Sequence, residues 1–309
     1  MIDRQRLVSL LGLLIGVAGV AFVVAKVVRD RNEFADALAQ ANPGWTLAAL
    51  AAGAGAISSI ALNWVALLRR HHPVPRARAV GWFYVGQLGK YVPGGIWPVI
   101  GQAELARRGG VDRPGAYAAT AISMIGTLLG AVTVAAATGL ATEGRRLLGA
   151  ALAAGILAGL LVAADGRIRA AVGSLLARVA RRSIELPTAR VLARQAALHV
   201  PVWVAFSACH VGVAVALGSR PGASAISELA FATCVAWVAG FVIVGLPGGI
   251  GVREAVLVSL TTPLLGAGAA VSFAVVSRLV TIAVDLLLAA VAVVGSRSGR
   301  FVAADGGAG

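Results

Sequence analysis

The 309 residues carry 59% hydrophobic and only 13% charged side chains, with a net charge of +14. Soluble globular domains hold about a quarter charged residues, so a soluble enzyme or binding module is excluded and a polytopic membrane protein is indicated. The positive balance is nearly all arginine lying between apolar runs, which reads as positive-inside topology and attraction to anionic lipid headgroups, not as a nucleic-acid surface.

Residues 7–28 form the first apolar run, after Arg4 and Arg6. A signal peptide is the competing reading, but the run is long for an h-region and no A-x-A site follows. A retained anchor with a cytoplasmic N-terminus is expected. A second span runs from Trp45 to about Leu68, with Asn63 inside it as a residue able to tie two helices together. The basic loop Arg69-Arg70-His71-His72-Pro-Val-Pro-Arg76-Ala-Arg78 is placed in the cytoplasm, and its His pair lacks a third ligand at metal spacing.

Gly86–Gly110 then reads GQLGKYVPGGIWPVIGQAELARRGG. It is apolar enough to enter a bilayer, yet Pro93-Gly94-Gly95 and Pro98 forbid a continuous helix. Arginines flank both ends, so a re-entrant hairpin over about 80–101 is expected. Spans at 116–140 and 147–164 follow, joined by a turn with Glu143, Arg145 and Arg146. The connection from Arg167 to Arg194 repeats Ile168, Val172, Leu175, Leu176 and Val179 at helical spacing, the pattern of a basic amphipathic helix on the membrane surface. Loops 69–79, 102–115 and 165–195 hold most of the arginine and are expected to face the cytoplasm.

A span at 196–218 contains His210, an ionisable group inside an apolar run and hence a candidate for function. The span 227–246 leads to a second break, Gly245-Leu-Pro-Gly-Gly-Ile-Gly-Val-Arg-Glu254, followed by a short apolar segment ending near Pro263. The last run, Ala267 to Val294, contains Arg278 and Asp285. Residues 1–300 are expected to form one membrane domain and 301–309 a disordered tail. The fold class is therefore all-α and polytopic, with about seven transmembrane helices plus two broken or re-entrant Pro-Gly-Gly segments. Among the 39 glycines, Gly12/Gly16, Gly126/Gly130 and Gly155/Gly159 match the small-x-x-x-small pattern of close helix packing. Cys209 and Cys234 lie in apolar runs and are read as packing residues.

Paired interrupted segments are the sequence pointer to a transporter's binding site. The charges in or beside the breaks and the last span are Lys90, Glu104, Arg107, Arg253, Glu254, Arg278 and Asp285. They are the candidate substrate-binding residues. Arg278 and Asp285 stand two turns apart, roughly 10 Å along a helix, so each needs a partner from elsewhere. Arg253 and Glu254 are the expected ones. A structural ion network is the alternative, since buried charges must pair whatever else they do. The functional alternative is that helix N-termini and arginines attract a phosphate or similar anionic headgroup.

Lys90-Tyr-Val-Pro-Gly-Gly-Ile-Trp97 with Gly-Gln-Ala-Glu-Leu-Ala-Arg107, and Leu246-Pro-Gly-Gly-Ile-Gly-Val-Arg-Glu254-Ala, resemble the two signature segments of the lysylphosphatidylglycerol synthase transmembrane-region family. Its members are also called flippase-like domain proteins, and the chain is similar over its whole length to the membrane half of the multiple peptide resistance factor. The resemblance implies a lipid flippase-like protein of the bacterial cytoplasmic membrane. In that factor the module moves aminoacylated phosphatidylglycerol, which a separate soluble domain makes. These 309 residues hold no such domain, so a polyprenyl-phosphate-linked sugar is also a candidate substrate, and a glycosyltransferase, a lipid synthase or further copies of this chain in a homo-oligomer are candidate partners. The alternative function is a non-transporting scaffold of a lipid-linked glycosyltransferase pathway. No nucleophile–base set, paired-carboxylate motif, metal-ligand spacing or G-x-x-x-x-G-K-[ST] loop occurs. Neither an enzyme nor a cofactor, metal or direct use of ATP is expected.

Overall fold

The computed structural model describes residues 39, 41–70, 72–91, 96–180, 186–242, 249 and 251–297, with backbone only at 176–180 and 297. The expected first span at 7–28, the Gly12/Gly16 pair and the 301–309 tail lie outside these residues.

The described residues form ten α-helices: α1 (Pro43–Leu68), α2 (Arg76–Gln87), α3 (Trp97–Arg108), α4 (Arg113–Ala141), α5 (Arg146–Ala164), α6 (Gly166–Ala180), α7 (Ala189–Ala216), α8 (Ala223–Val242), α9 (Val252–Leu265) and α10 (Ala267–Arg297). Local chemistry sets several of the starts. Asn42 caps α1 by accepting from Trp45 N–H, and Asp112 caps α4 by accepting from Gly115 N–H, each with a proline in the first helical turn. Helices α1, α4, α5, α7, α8 and α10 are long and apolar enough to cross a membrane. They coincide with six of the seven expected spans, and the chain is a multi-pass membrane protein.

The first break folds as the hairpin the prolines and glycines demand. α2 stops at Gln87, a single 3-10 turn covers Leu88–Tyr91, and α3 starts at Trp97. α3 then runs back along α2. A Cβ on Gly86 would sit 2.7 Å from Gln102, and one on Gly89 would sit 2.7 Å from the Trp97 backbone, so only glycine permits this approach. The second break repeats the device between α8 and α9. Gly249 (φ +68°) lies against Gly240 of α8, and Gly251 adopts φ +88° just before α9. Residues 92–95, 243–248 and 250, which include Pro93-Gly94-Gly95 and Pro247-Gly248, lie outside the described set.

α1 packs along the whole of α7 in antiparallel fashion. Asn42 N–H donates to Ala216 C=O (2.9 Å) at one end, and Asn63 Nδ2 donates to Leu198 C=O (3.1 Å) toward the other. Asn63 thus ties two helices, as the sequence suggested. α4 lies beside both, held by Trp64 Nε1 to Thr120 Oγ1 (3.0 Å) and Trp203 Nε1 to Thr127 C=O (2.8 Å). Gly126 and Gly130 of α4 face His199 and Trp203 of α7 with no room for a side chain, whereas Gly155 and Gly159 of α5 meet nothing within 4 Å. Only the first of these two glycine pairs is a helix contact among the described residues.

Helices α1–α4 and α7–α10 share one order: a span, a broken two-helix hairpin (α2–α3, α8–α9), a span. α8, though long and apolar enough to cross a membrane, is the first arm of its hairpin, with α9 folded back along it. Their leading helices α1 and α7 run in opposite directions, so the two sets are inverted relative to each other, as in inverted-topology repeats. The hairpins therefore enter from opposite ends of the bundle. α6 continues from α5 through Asp165 and leaves Ile168, Val172 and Leu175 exposed, as a helix lying on lipid requires. Three boundaries differ from the sequence reading. α9 continues through Pro263 to Leu265, α3 carries the first hairpin on to Arg108, and α7 begins at Ala189, which moves Arg190 and Arg194 from a loop onto a helix.

Candidate functional site

Five of the seven candidate charges meet where the two hairpins converge on α10. Lys90 and Tyr91 come from the 3-10 turn that ends the described part of the first hairpin. Arg253 and Glu254 open α9 in the second hairpin, and Arg278 and Asp285 project from α10. The α2–α3 hairpin lies against α10, with Gly81 next to Ala292, while α9 packs on α10 nearer its start. The last helix is thus the shared wall of both hairpins.

Asp285 is 2% exposed. Its Oδ2 receives Lys90 Nζ at 2.7 Å and also a short hydrogen bond from the Tyr91 hydroxyl. Oδ1 is buried and has no hydrogen-bond partner among the described residues. Tyr91 is shared with the second hairpin's side of the site, because the Arg278 guanidinium lies over its ring at 5.7 Å. Arg278 Nε is 3.8 Å from Glu254 Oε1. Glu254 is held by its other oxygen, which accepts the Gly251 backbone N–H at 2.7 Å and so ties the carboxylate to the first turn of α9.

Arg253, in the same cluster, is held from α7. Its Nη2 donates to His210 Nε2 at 3.2 Å and its guanidinium covers the Phe206 ring at 5.6 Å. Since the guanidinium can only donate, His210 accepts at Nε2, and its Nδ1 carries the proton that is given to Phe206 C=O at 2.9 Å. His210 is thus a neutral second layer that orients Arg253. Arg253, Glu254 and Asp285 are each at most 6% exposed. Among the described residues three cations and two carboxylates therefore share a site enclosed by apolar helices, with one more positive than negative charge. Ionised groups at membrane depth cost several kcal/mol each unless paired, so such a cluster persists only where charge is needed or fully compensated. Both return helices, α3 and α9, begin on this side of their hairpins, so their positive half-dipoles add to the excess.

Glu104 and Arg107 do not join the cluster. They pair with each other on the outer half of α3, Arg107 Nε to Glu104 Oε2 at 2.9 Å and Nη2 to Oε1 at 2.7 Å, with Arg108 Nε 3.6 Å from the same carboxylate. The Arg107 hydrogen bonds hold the Glu104 carboxyl down at about 2. The two residues line an open depression of about 680 Å³ with Asp112 and Arg113. Tyr91, which links the two hairpins, was not singled out by sequence. Its signal was its position next to Lys90, directly before the break. Among the described residues no group of three or more His, Cys, Asp or Glu could hold a metal, and Cys209 and Cys234 are both buried and free.

Residues 9–289 match the family model described as lysylphosphatidylglycerol synthase TM region. No curated protein matches the chain.

Proposed function

We propose that this chain, which belongs to the lysylphosphatidylglycerol synthase transmembrane-region family, translocates a lipid with a phosphate-containing headgroup between the leaflets of the bacterial cytoplasmic membrane. The observation that carries the reading is the convergence of two oppositely entering broken hairpins on one buried cluster with three cations and two carboxylates. In this reading Lys90 meets headgroup phosphate oxygens as a point charge, while Arg253 and Arg278 meet them through charge-assisted, forked hydrogen bonds. Asp285 and Glu254 neutralise Lys90 and Arg278 while no headgroup is bound, so an entering phosphate exchanges one set of ion pairs for another instead of meeting bare charge. His210 and Phe206 fix the Arg253 guanidinium. The starts of α3 and α9 offer first-turn backbone N–H groups that continuous helices would not. The chain acts on the lipid's position and makes no covalent change in it. Aminoacylated phosphatidylglycerol and polyprenyl-phosphate-linked sugars both carry the required phosphate.

The test reconstitutes the purified chain in liposomes with a labelled phosphatidylglycerol in one leaflet. Faster leaflet exchange than in protein-free vesicles, lost in Arg278→Gln, supports translocation. Equal exchange with and without protein overturns it in favour of a scaffold. Appearance of a new lipid species by mass spectrometry overturns it in favour of an enzyme.

A further inference from the structure

We infer that a second anion site, separate from the central cluster, lies at the arginine-rich end of the bundle between α1 and α7 and takes the phosphate of a lipid headgroup. A cavity of about 250 Å³ opens there, lined by Arg70, Arg190, Val191, Arg194 and Gln195. It is smaller than the roughly 300–1,000 Å³ of pockets that enclose drug-sized ligands, and so suits a headgroup and not a whole lipid.

The fold explains why these residues meet. Because α1 and α7 are antiparallel along their length, the chain leaving α1 at Arg70 comes beside the first turns of α7. Arg190 and Arg194 are four apart there, on one face and roughly 6 Å apart along the axis. Like charges at that spacing repel. Among the described residues none of the three arginines forms an ion pair with a carboxylate. α7 adds its own positive end, since the Thr188 side chain makes no capping hydrogen bond to the first-turn N–H groups.

Gln195 is the independent observation. It lines the cavity yet is only 2% exposed, and its Oε1 has no hydrogen-bond partner among the described residues. A buried carbonyl oxygen without a donor is costly, and a ligand hydroxyl that reaches it removes the cost. Its amide combines donors with an acceptor. Three forked cations beside such an amide match a phosphodiester that carries a neighbouring hydroxyl, as the headgroup of phosphatidylglycerol does. The site requires no movement of lipid and stands whether or not the chain is a translocator.

The experiment uses the full chain in nanodiscs of equal phosphatidylglycerol and phosphatidylcholine, with retained lipids counted by native mass spectrometry. Wild type should retain phosphatidylglycerol in preference to phosphatidylcholine. The Arg190→Gln/Arg194→Gln variant should lose that retention by about tenfold, with Arg190→Lys/Arg194→Lys between the two. Both arginines are exposed, so the variants should fold, which a melting curve checks. Arg146→Gln, in an exposed arginine near Glu143 on α5, should behave as wild type. A parallel titration of inorganic phosphate into phosphatidylcholine nanodiscs separates the two sources of phosphate. Stabilisation there of wild type but not of the double variant, without lipid retention, keeps the phosphate site and assigns it a soluble ligand. The inference is overturned if the double variant retains phosphatidylglycerol and responds to phosphate as wild type does, or if Arg146→Gln loses as much.

Discussion

Lys90 Nζ lies 2.7 Å from Asp285 Oδ2, joining the end of the first hairpin to the last transmembrane helix. Asp285 has a fully buried side chain, whereas that of Lys90 is 21% exposed. Removing one member is therefore expected to strand the other unequally. Asp285→Asn should destabilise by roughly 3–5 kcal/mol, the cost of an uncompensated buried charge. Lys90→Met should cost as much or more, because Asp285 is the deeper partner. The double variant Lys90→Met/Asp285→Leu should be more stable than either single change. Thermal melting of the purified protein in detergent measures all three. Strictly additive losses would show that the pair does not couple.

The helix contact of Gly126 and Gly130 gives a second expectation. A Cβ on Gly130 would sit 2.6 Å from His199 Cβ, and one on Gly126 would sit 2.7 Å from the His199 ring, whereas Gly155 has open space. Gly130→Val should thus destabilise by about 2–3 kcal/mol through overpacking, while Gly155→Val stays within about 0.5 kcal/mol. Melting temperatures of the two variants make the comparison. Equal losses would remove the distinction between the two glycine pairs.

This contrast marks what the sequence could reveal. Both pairs fit the small-x-x-x-small spacing, and spacing says nothing of which helix lies opposite. Chain-local features were legible: the spans from apolar length and the breaks from Pro and Gly chemistry. What depended on approach in space was not. Of the partners expected for Arg278 and Asp285, Glu254 meets Arg278, but Arg253 turns to His210 and Asp285 takes Lys90 instead. Lys90 and Asp285 stand far apart in the chain, and only the packing of the first hairpin on α10 brings them together. Glu104 and Arg107 were grouped with the site because they follow the break closely, but α3 carries them away along its axis and they satisfy each other. The basic face of Arg190 and Arg194 was hidden for a different reason. Helix α7 extends past the apolar run into a segment whose arginines resemble a loop.

The direction of the helices makes a labelling prediction. Val74 is buried, so a probe in the 69–79 loop belongs at Ala77, which is exposed along with Thr188 and, at the opposite end of α7, Gly222. Cys209 and Cys234 are buried and can remain. Ala77→Cys and Thr188→Cys should react with a membrane-impermeant maleimide only from the cytoplasmic side, and Gly222→Cys only from the other. Labelling of Ala77→Cys and Gly222→Cys from the same side would reject the inverted order of α1–α4 and α7–α10.

Arg253 gives the last prediction, because its surroundings separate binding from support. Its guanidinium is held by His210 Nε2 at 3.2 Å and the Phe206 ring at 5.6 Å, and no described carboxylate pairs with it within 4.0 Å. Arg253→Ala therefore leaves no orphaned anion, and His210, already bonded through Nδ1, loses one donor worth about 1–3 kcal/mol. Leaflet exchange should fall to the protein-free level while the fold survives. Arg253→Lys keeps the charge but neither the fork nor the stacking plane, so exchange should be reduced but measurable. Glu254→Gln is the contrasting change. It strips the charge facing Arg278 and weakens the contact to Gly251 N–H, so stability and exchange should fall together. Exchange assays run beside melting curves distinguish these patterns. If Arg253→Ala loses stability and exchange in the same proportion as Glu254→Gln, Arg253 is a structural member of the cluster and the headgroup contact rests on Lys90 and Arg278.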